Sequence, residues 1–226
     1  MLVQITDHVW SIQHSFVKNM VVVSSRMTVI ELLDRKLWVH SPVPVSKETR
    51  RTLQNIGEVS YVIAPSKSHT LFFDEFTDYF PECSKFVAEG LEKSSCWINK
   101  VVLLDDSHHG PWHPHLEFFT FRGIPAGNET VWFHNKSSTL ILTDLCQCWN
   151  GKLRLSALVY SRCNGVNNRL AVPTLVKWLV TDKRAAAASA QRILQWPVQR
   201  IVLGHNCIIE KNALEQLQEA LEVFNY

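Results

Sequence analysis

The 226-residue chain has no apolar run of the roughly 18 residues that a membrane-crossing helix needs. Met1 to Trp10 holds neither a basic segment nor an apolar stretch ending in small residues, so no secretion signal is read. The sequons Asn128-Glu129-Thr130 and Asn135-Lys136-Ser137 therefore carry little weight. Six cysteines (Cys83, Cys96, Cys146, Cys148, Cys163 and Cys207) are too sparse for a disulfide scaffold. They read as small buried hydrophobes of a reduced, cytoplasmic protein. Charge of one sign is also lacking: 23 basic residues face 21 acidic ones, for a net +2. No basic stretch is dense enough to track phosphates, so neither nucleic acid nor a membrane is an expected partner. The phosphate loops GxGxxG and GxxxxGK[ST] are missing, as is the GxSxG nucleophile elbow. There is no internal repeat and no low-complexity linker, so residues 1–226 are expected to form one domain.

What is present is core material. Hydrophobic residues make up 46% of the chain and charged residues 19%, with eight Trp and eleven Phe, which suits a globular α/β domain rather than a disordered chain. Strands are expected at Val9–Ile12, Val21–Val23 and Met27–Leu33, the last turning through Asp34-Arg35-Lys36 into Leu37–His40. Ser46 reads as the N-cap of a helix that Gly57 stops, and Val59–Ala64 as a strand covered on both faces. A second helix is expected at Leu71–Tyr79. Leu116–Arg122, Glu129–His134 and Thr139–Thr143 read as strands, and 146–168 as a loop with one short helix. Leu175–Trp196 reads as one helical run, Arg200–Gly204 as a strand and Lys211–Phe224 as an amphipathic helix. This order points to a layered α/β domain.

His69, Asp144 and His205 share one position type, just after an expected strand. Loops leaving the carboxyl ends of strands gather at one sheet edge, where ligands bind. Two imidazoles and a carboxylate there would make a 2-His-1-carboxylate metal site; read blandly, they are three unrelated loop residues. His40 also ends a strand and either lines the same edge or satisfies a backbone group. The run from His108 to His115 holds four His in eight residues, interrupted by Gly110, Pro111 and Pro114. It reads as a flexible loop or as a lid over a pocket. Cys207 lies two residues past His205, where a thiolate would reach the same site.

Trp10, Met27-Thr28-Val29, Leu37 to Pro42, Val62-Ile63-Ala64-Pro65 with His69, Ser138 to Asp144 and Ile201-Val202-Leu203-Gly204-His205 together resemble the DUF4336 proteins, a branch of the metallo-β-lactamase-like superfamily. The resemblance implies a four-layer αββα sandwich with metal held at one edge of two facing sheets. It also implies a loss. The superfamily signature H-x-H-x-D-H falls on residues 64–69, where Ala64, Ser66 and Ser68 replace two His and the Asp, and only His69 remains. The next signature His is expected near residues 124–128, and none is there. Asp144 matches the metal-bridging Asp and His205 the closing His.

A dinuclear site is thus not expected. His69, Asp144 and His205 would suffice for one Zn or Fe ion, with His40 as a further ligand, a supporting contact or an acid–base group, and His69 and Asp144 as catalytic residues. The resemblance implies a mononuclear metal-dependent hydrolase of an ester, lactone or thioester, or an oxidoreductase, acting on a small-molecule substrate. The lost ligands keep two metal-free readings open: a binding protein built on the old pocket, or an acid–base isomerase or cyclase. Nothing in the residues fixes the oligomeric state.

Overall fold

The computed structural model describes residues 1–18, 21–93 and 100–225. Its first half runs β1 (Val3–Thr6), β2 (Val9–Lys18), β3 (Val21–Glu31), β4 (Lys36–His40), α1 (Lys47–Ile56), β5 (Glu58–Ala64), α2 (Phe73–Asp78), β6 (Ser84–Val87) and β7 (Val102–Leu103). The second half runs β8 (Leu116–Thr120), β9 (Thr130–His134), β10 (Thr139–Leu142), α3 (Leu155–Cys163), α4 (Thr174–Trp178), α5 (Lys183–Ile193), β11 (Arg200–Leu203), β12 (Ile208–Ile209) and α6 (Ala213–Leu221). The strands make two sheets, β1-β2-β3-β4-β5-β6-β7 and β12-β11-β10-β9-β8.

Three cores define the layering. Trp38, Ile63 and Phe86 of the first sheet meet Trp132, Ile141 and Val202 of the second, which makes the middle of the molecule. The outer face of the first sheet packs Val39, Val62 and Met27 against Leu53 of α1 and Phe73 and Phe76 of α2. The outer face of the second packs Leu140, Leu142 and Leu203 against Ala186 and Ala190 of α5 and Leu217 of α6. Alternate residues of each central strand therefore feed two cores, and β5 is covered on both faces as its apolar run predicts. The result is a four-layer αββα sandwich.

The local chemistry explains most boundaries. Val21 to Ile30 is rich in β-branched residues and pairs with β2 over ten consecutive positions, from Val9↔Ile30 to Lys18↔Val21. The two expected strands at Val21–Val23 and Met27–Leu33 are thus one strand. Ser46 caps α1 by accepting the Thr49 N–H at 3.1 Å. The expected Leu71–Tyr79 helix is shorter, at Phe73–Asp78. The single helix expected over 175–196 is two, α4 and α5. Between them the N–H groups of Thr181 and Asp182 turn to the Gly123 carbonyl at 2.9 and 3.3 Å, and Asp182 then caps α5 by accepting from Ala185 N at 3.0 Å. A cap in mid-run outweighs the helix propensity of the alanines that follow.

Four cysteines, at 83, 146, 148 and 207, are buried as expected, but Cys163 is exposed at the end of α3. Cys96 lies outside the described residues. The His108–His115 run sits where β8 begins, next to His134 and the start of β10, the edge opposite Asp144. Its Trp112 is buried in the core between the sheets. No helix among the described residues is long and apolar enough to cross a membrane.

Candidate functional site

β4, β5 and β6 are parallel neighbours in one sheet, and β10 and β11 are a parallel pair in the other. Their carboxyl ends face one edge. His40 closes β4, the loop after β5 carries His69, Asp144 follows β10 and His205 follows β11. Three of these converge: a nitrogen of His69, an oxygen of Asp144 and a nitrogen of His205 lie within 4.8 Å of one another. His69 Nε2 is 3.4 Å from Asp144 Oδ2, and His205 Nε2 is 2.9 Å from Asp144 Oδ1. This convergence needs Gly204, because a Cβ there would stand 3.0 Å from both His69 Cε1 and Thr143 Cα.

Each ligand atom is aimed by a partner. Ser41 Oγ and His69 Nδ1 share a 2.7 Å hydrogen bond, and Ser41 takes a left-handed φ of 52° to make it. His205 Nδ1 donates to the Ser24 carbonyl at 2.7 Å, which leaves Nε2 toward Asp144. Gln147 Nε2 donates to Asp144 Oδ1 at 3.2 Å, while Gln147 Oε1 accepts from Trp149 Nε1 at 3.0 Å and from the Tyr160 hydroxyl at 3.2 Å. Buried Arg26 grips the His205 turn, donating to the carbonyls of Leu203 at 3.0 Å and Asn206 at 2.6 Å. Supporting contacts of this kind fix ring orientation and tautomer at metal centres.

Glu129 is the group that sequence reasoning missed most plainly. It is buried just before β9, and its carboxylate accepts three successive N–H groups of the chain leaving β10. These are Thr143 at 2.6 Å, and Asp144 and Leu145 at 2.8 Å each. Burial and the neighbouring Asp144 charge push its pKa up to about 7, against the pull of those N–H donors.

The electrostatics favour a charged centre. Burial alone would raise Asp144, but the two imidazoles outweigh it and hold the carboxyl well below its ordinary range. Burial lowers His205 while the hydrogen bond and charge of Asp144 raise it, and the net shift is upward. Burial prevails at His69, which is shifted down. Because His205 Nδ1 is committed to a carbonyl, its Nε2 presents either a proton or a lone pair to Asp144. A lone pair 2.9 Å from a carboxylate oxygen is repulsive unless a cation lies between them. The contact thus demands either an imidazolium–carboxylate pair or a metal ion. Two imidazole nitrogens and a carboxylate on an open cavity form a donor set that fits one Zn²⁺ or Fe²⁺.

His40 stands apart from the three. It is 1% exposed, stacks on Trp38 and has no hydrogen-bond partner at Nε2 among the described residues. It does not line the cavity, and burial and then His69 keep its pKa well below the ordinary value. Cys207 is buried, its Sγ 3.2 Å from the Asn206 side-chain oxygen, and is not among the converging ligands. None of His108 to His115 lines a cavity at the triad.

Two chambers meet at Asp144. The larger, about 350 Å³, lies under the β2–β3 hairpin, with Phe16, Lys18, Phe72 and Trp149 among its walls. The smaller, about 190 Å³, is walled by Phe121, Ile124, Leu145, Val176 and Leu179. Ser66, Ile124, Ala126 and Gly127, where the resemblance expects ligands of another metal, and Ser68, where it expects a carboxylate for this one, line the second chamber without offering a nitrogen, thiolate or carboxylate ligand.

Solved structures with the same architecture include a metallo-β-lactamase from Pontibacter korlensis (13% identity, TM-score 0.66, 98% of each chain). Another is the metallo-β-lactamase FIM-1 of Pseudomonas aeruginosa in its mono-zinc form (12% identity, TM-score 0.63, 98% of this chain and 94% of that one). A third is the metal-soaked Flv1 flavodiiron core from Synechocystis sp. PCC6803, at 11% identity and TM-score 0.68, matching 100% of this chain and 60% of that one. These likenesses establish the metallo-β-lactamase fold. No curated protein matches the sequence. The model of the family described as Domain of unknown function (DUF4336) matches residues 6–152, and the chain belongs to that family.

Proposed function

We propose that the protein is a mononuclear metal-dependent hydrolase that cleaves an ester, lactone or thioester bond of a small molecule. The observation that carries this reading is the 2.9 Å approach of His205 Nε2 to Asp144 Oδ1, with His69 Nε2 at 3.4 Å from the other carboxylate oxygen. The three groups converge within 4.8 Å and open onto a chamber. Zinc bound there would supply a water of pKa near 7 and polarise a carbonyl, whereas iron would supply redox chemistry.

The chain's own residues do the rest. His69, Asp144 and His205 would hold the ion, and Ser41, Ser24 and Gln147 fix the orientation of their side chains. Tyr160 lines both chambers, and burial together with Asp144 raises its pKa, so the phenol stays protonated and braces Gln147 through its hydroxyl. His40, uncharged and walled off, is a positioning residue behind His69. Solved relatives described as mono-zinc and metal-soaked lend support to metal binding in this fold.

The test is elemental analysis of protein purified without a metal-affinity tag, beside the folded His69→Ala/Asp144→Ala/His205→Ala variant. About one equivalent of zinc or iron, lost in the variant, supports the reading. No metal in either, even after incubation with both ions, overturns it and leaves an imidazolium–carboxylate pair lining a binding pocket.

A further inference from the structure

The smaller chamber is more than a recess. It shares Ser68, Asp144, Gln147, Tyr160 and Leu175 with the larger one, so a molecule crossing the triad extends into both. Of its polar lining residues, Glu129 and Gln147 bond Asp144 and Tyr160 bonds Gln147, while Phe121, Ile124, Leu145, Val176 and Leu179 make up apolar wall. The lips are apolar as well: Leu71 is 65% exposed, Leu175 51% and Leu179 40%, yet each lines a chamber. Exposed apolar residues that rim a cavity are the mark of an apolar ligand.

The larger chamber also carries a lysine. Lys18, at the end of β2, is its only Lys or Arg and has no ion-pair partner among the described residues. Lys18 lines the larger chamber and not the smaller one, which gives the cleft a direction.

We propose that the substrate is an amphiphilic acyl conjugate whose acyl chain fills the Phe121–Ile124–Leu179 chamber and whose anionic head lies toward Lys18. The bond to be cleaved then lies over Asp144. That last position rests on the hydrolase reading, but the two arms do not.

The test uses N-acylglycines with chains of four, six, eight and ten carbons, which pair an acyl chain and a carbonyl with an anionic end in an uncleaved amide. Binding is measured by calorimetry to zinc-incubated protein and to the His69→Ala/Asp144→Ala/His205→Ala variant. Affinity is expected to rise about three- to fourfold per added methylene in both proteins, the gain for burying one CH₂. Leu179→Glu and Ala126→Trp change exposed positions of the smaller chamber, and each should flatten the chain-length series while leaving circular dichroism unchanged. Lys18→Glu should weaken N-decanoylglycine by about five- to tenfold and leave the neutral N-decanoylglycinamide alone. A flat series in the unaltered protein, a series untouched by both chamber variants, or an equal effect of Lys18→Glu on acid and amide would each overturn the proposal. A series in unaltered protein that takes up neither zinc nor iron would sink the hydrolase reading and keep the amphiphile.

Discussion

Glu129 Oε2 accepts the backbone N–H of Asp144 at 2.8 Å, so the carboxylate that could bind a metal is itself held by a second, buried carboxylate. Glu129 also takes the N–H groups on either side of Asp144 and thereby fixes the chain as it leaves β10. Its Gln variant would turn an NH₂ donor toward backbone donors. Glu129→Gln should lower metal affinity by about 10- to 100-fold, as loss of supporting contacts does elsewhere, and cost about 1–3 kcal/mol of stability. Competition with a chromophoric chelator and urea unfolding read the two effects. Unchanged affinity would show that Asp144 needs no such hold.

Gly204 makes a sharper geometric demand. A methyl group would press on His69 Cε1 and on the Thr143 backbone, each 3.0 Å away, and the backbone atom gives way least. Gly204→Ala should cost about 1–2 kcal/mol and weaken zinc binding by roughly tenfold, by moving His69 off Asp144. Zinc titration of the folded variant decides it.

Arg26 lies in β3 of one sheet and bonds the carbonyls on both sides of the His205 turn, which belongs to the other sheet. It also donates to Ser11 Oγ at 2.9 Å. Arg26→Met strands these acceptors, and a loss of about 3 kcal/mol is expected. Amide exchange at residues 204–207 should accelerate more than at β10, which would distinguish a freed turn from general loosening.

Acid stability should carry the mark of His134, far from the triad. Burial, with lesser repulsion from His115, His8 and Lys136, lowers its pKa from 6.5 to about 4. The folded value lies below the unfolded one, so the unfolded chain takes up the proton first. The contribution is fully present above pH 6.5, falls as the pH drops from about 6.5 to about 4, and levels off below. It amounts to about 3 kcal/mol at most. His134→Gln should flatten the urea midpoint across this window relative to the parent protein; parallel curves would refute the assignment.

The triad was legible in the sequence because three polar residues each follow an apolar run, and parallel strands deliver their carboxyl ends to one edge. The Ser46 cap and the doubly covered β5 were legible for similar local reasons, whereas the long β2–β3 pair was not, because Ser24, Ser25 and Arg26 interrupt its apolar run. Glu129, Gln147 and Arg26 were not, since what gives them a role is a partner 14, 3 and 177 residues away whose position only the folded sheets define. Asp182 was passed over in a stretch that reads as continuous helix, although Asp is a good cap. The Gly123 carbonyl that turns the chain there lies 58 residues before Thr181. The two-residue strands β7 and β12 are too short for any alternation to show.

Positions 69, 144 and 205 stand 75 and 61 residues apart along the chain, yet one ion would tie all three. Such an ion acts as a cross-link as well as a reagent. By the chain-entropy reckoning used for disulfides, closing either loop restricts the unfolded chain by about 4 kcal/mol. Removing the ion would therefore first shorten the protein's half-life under heat or protease, while its average shape stays the same.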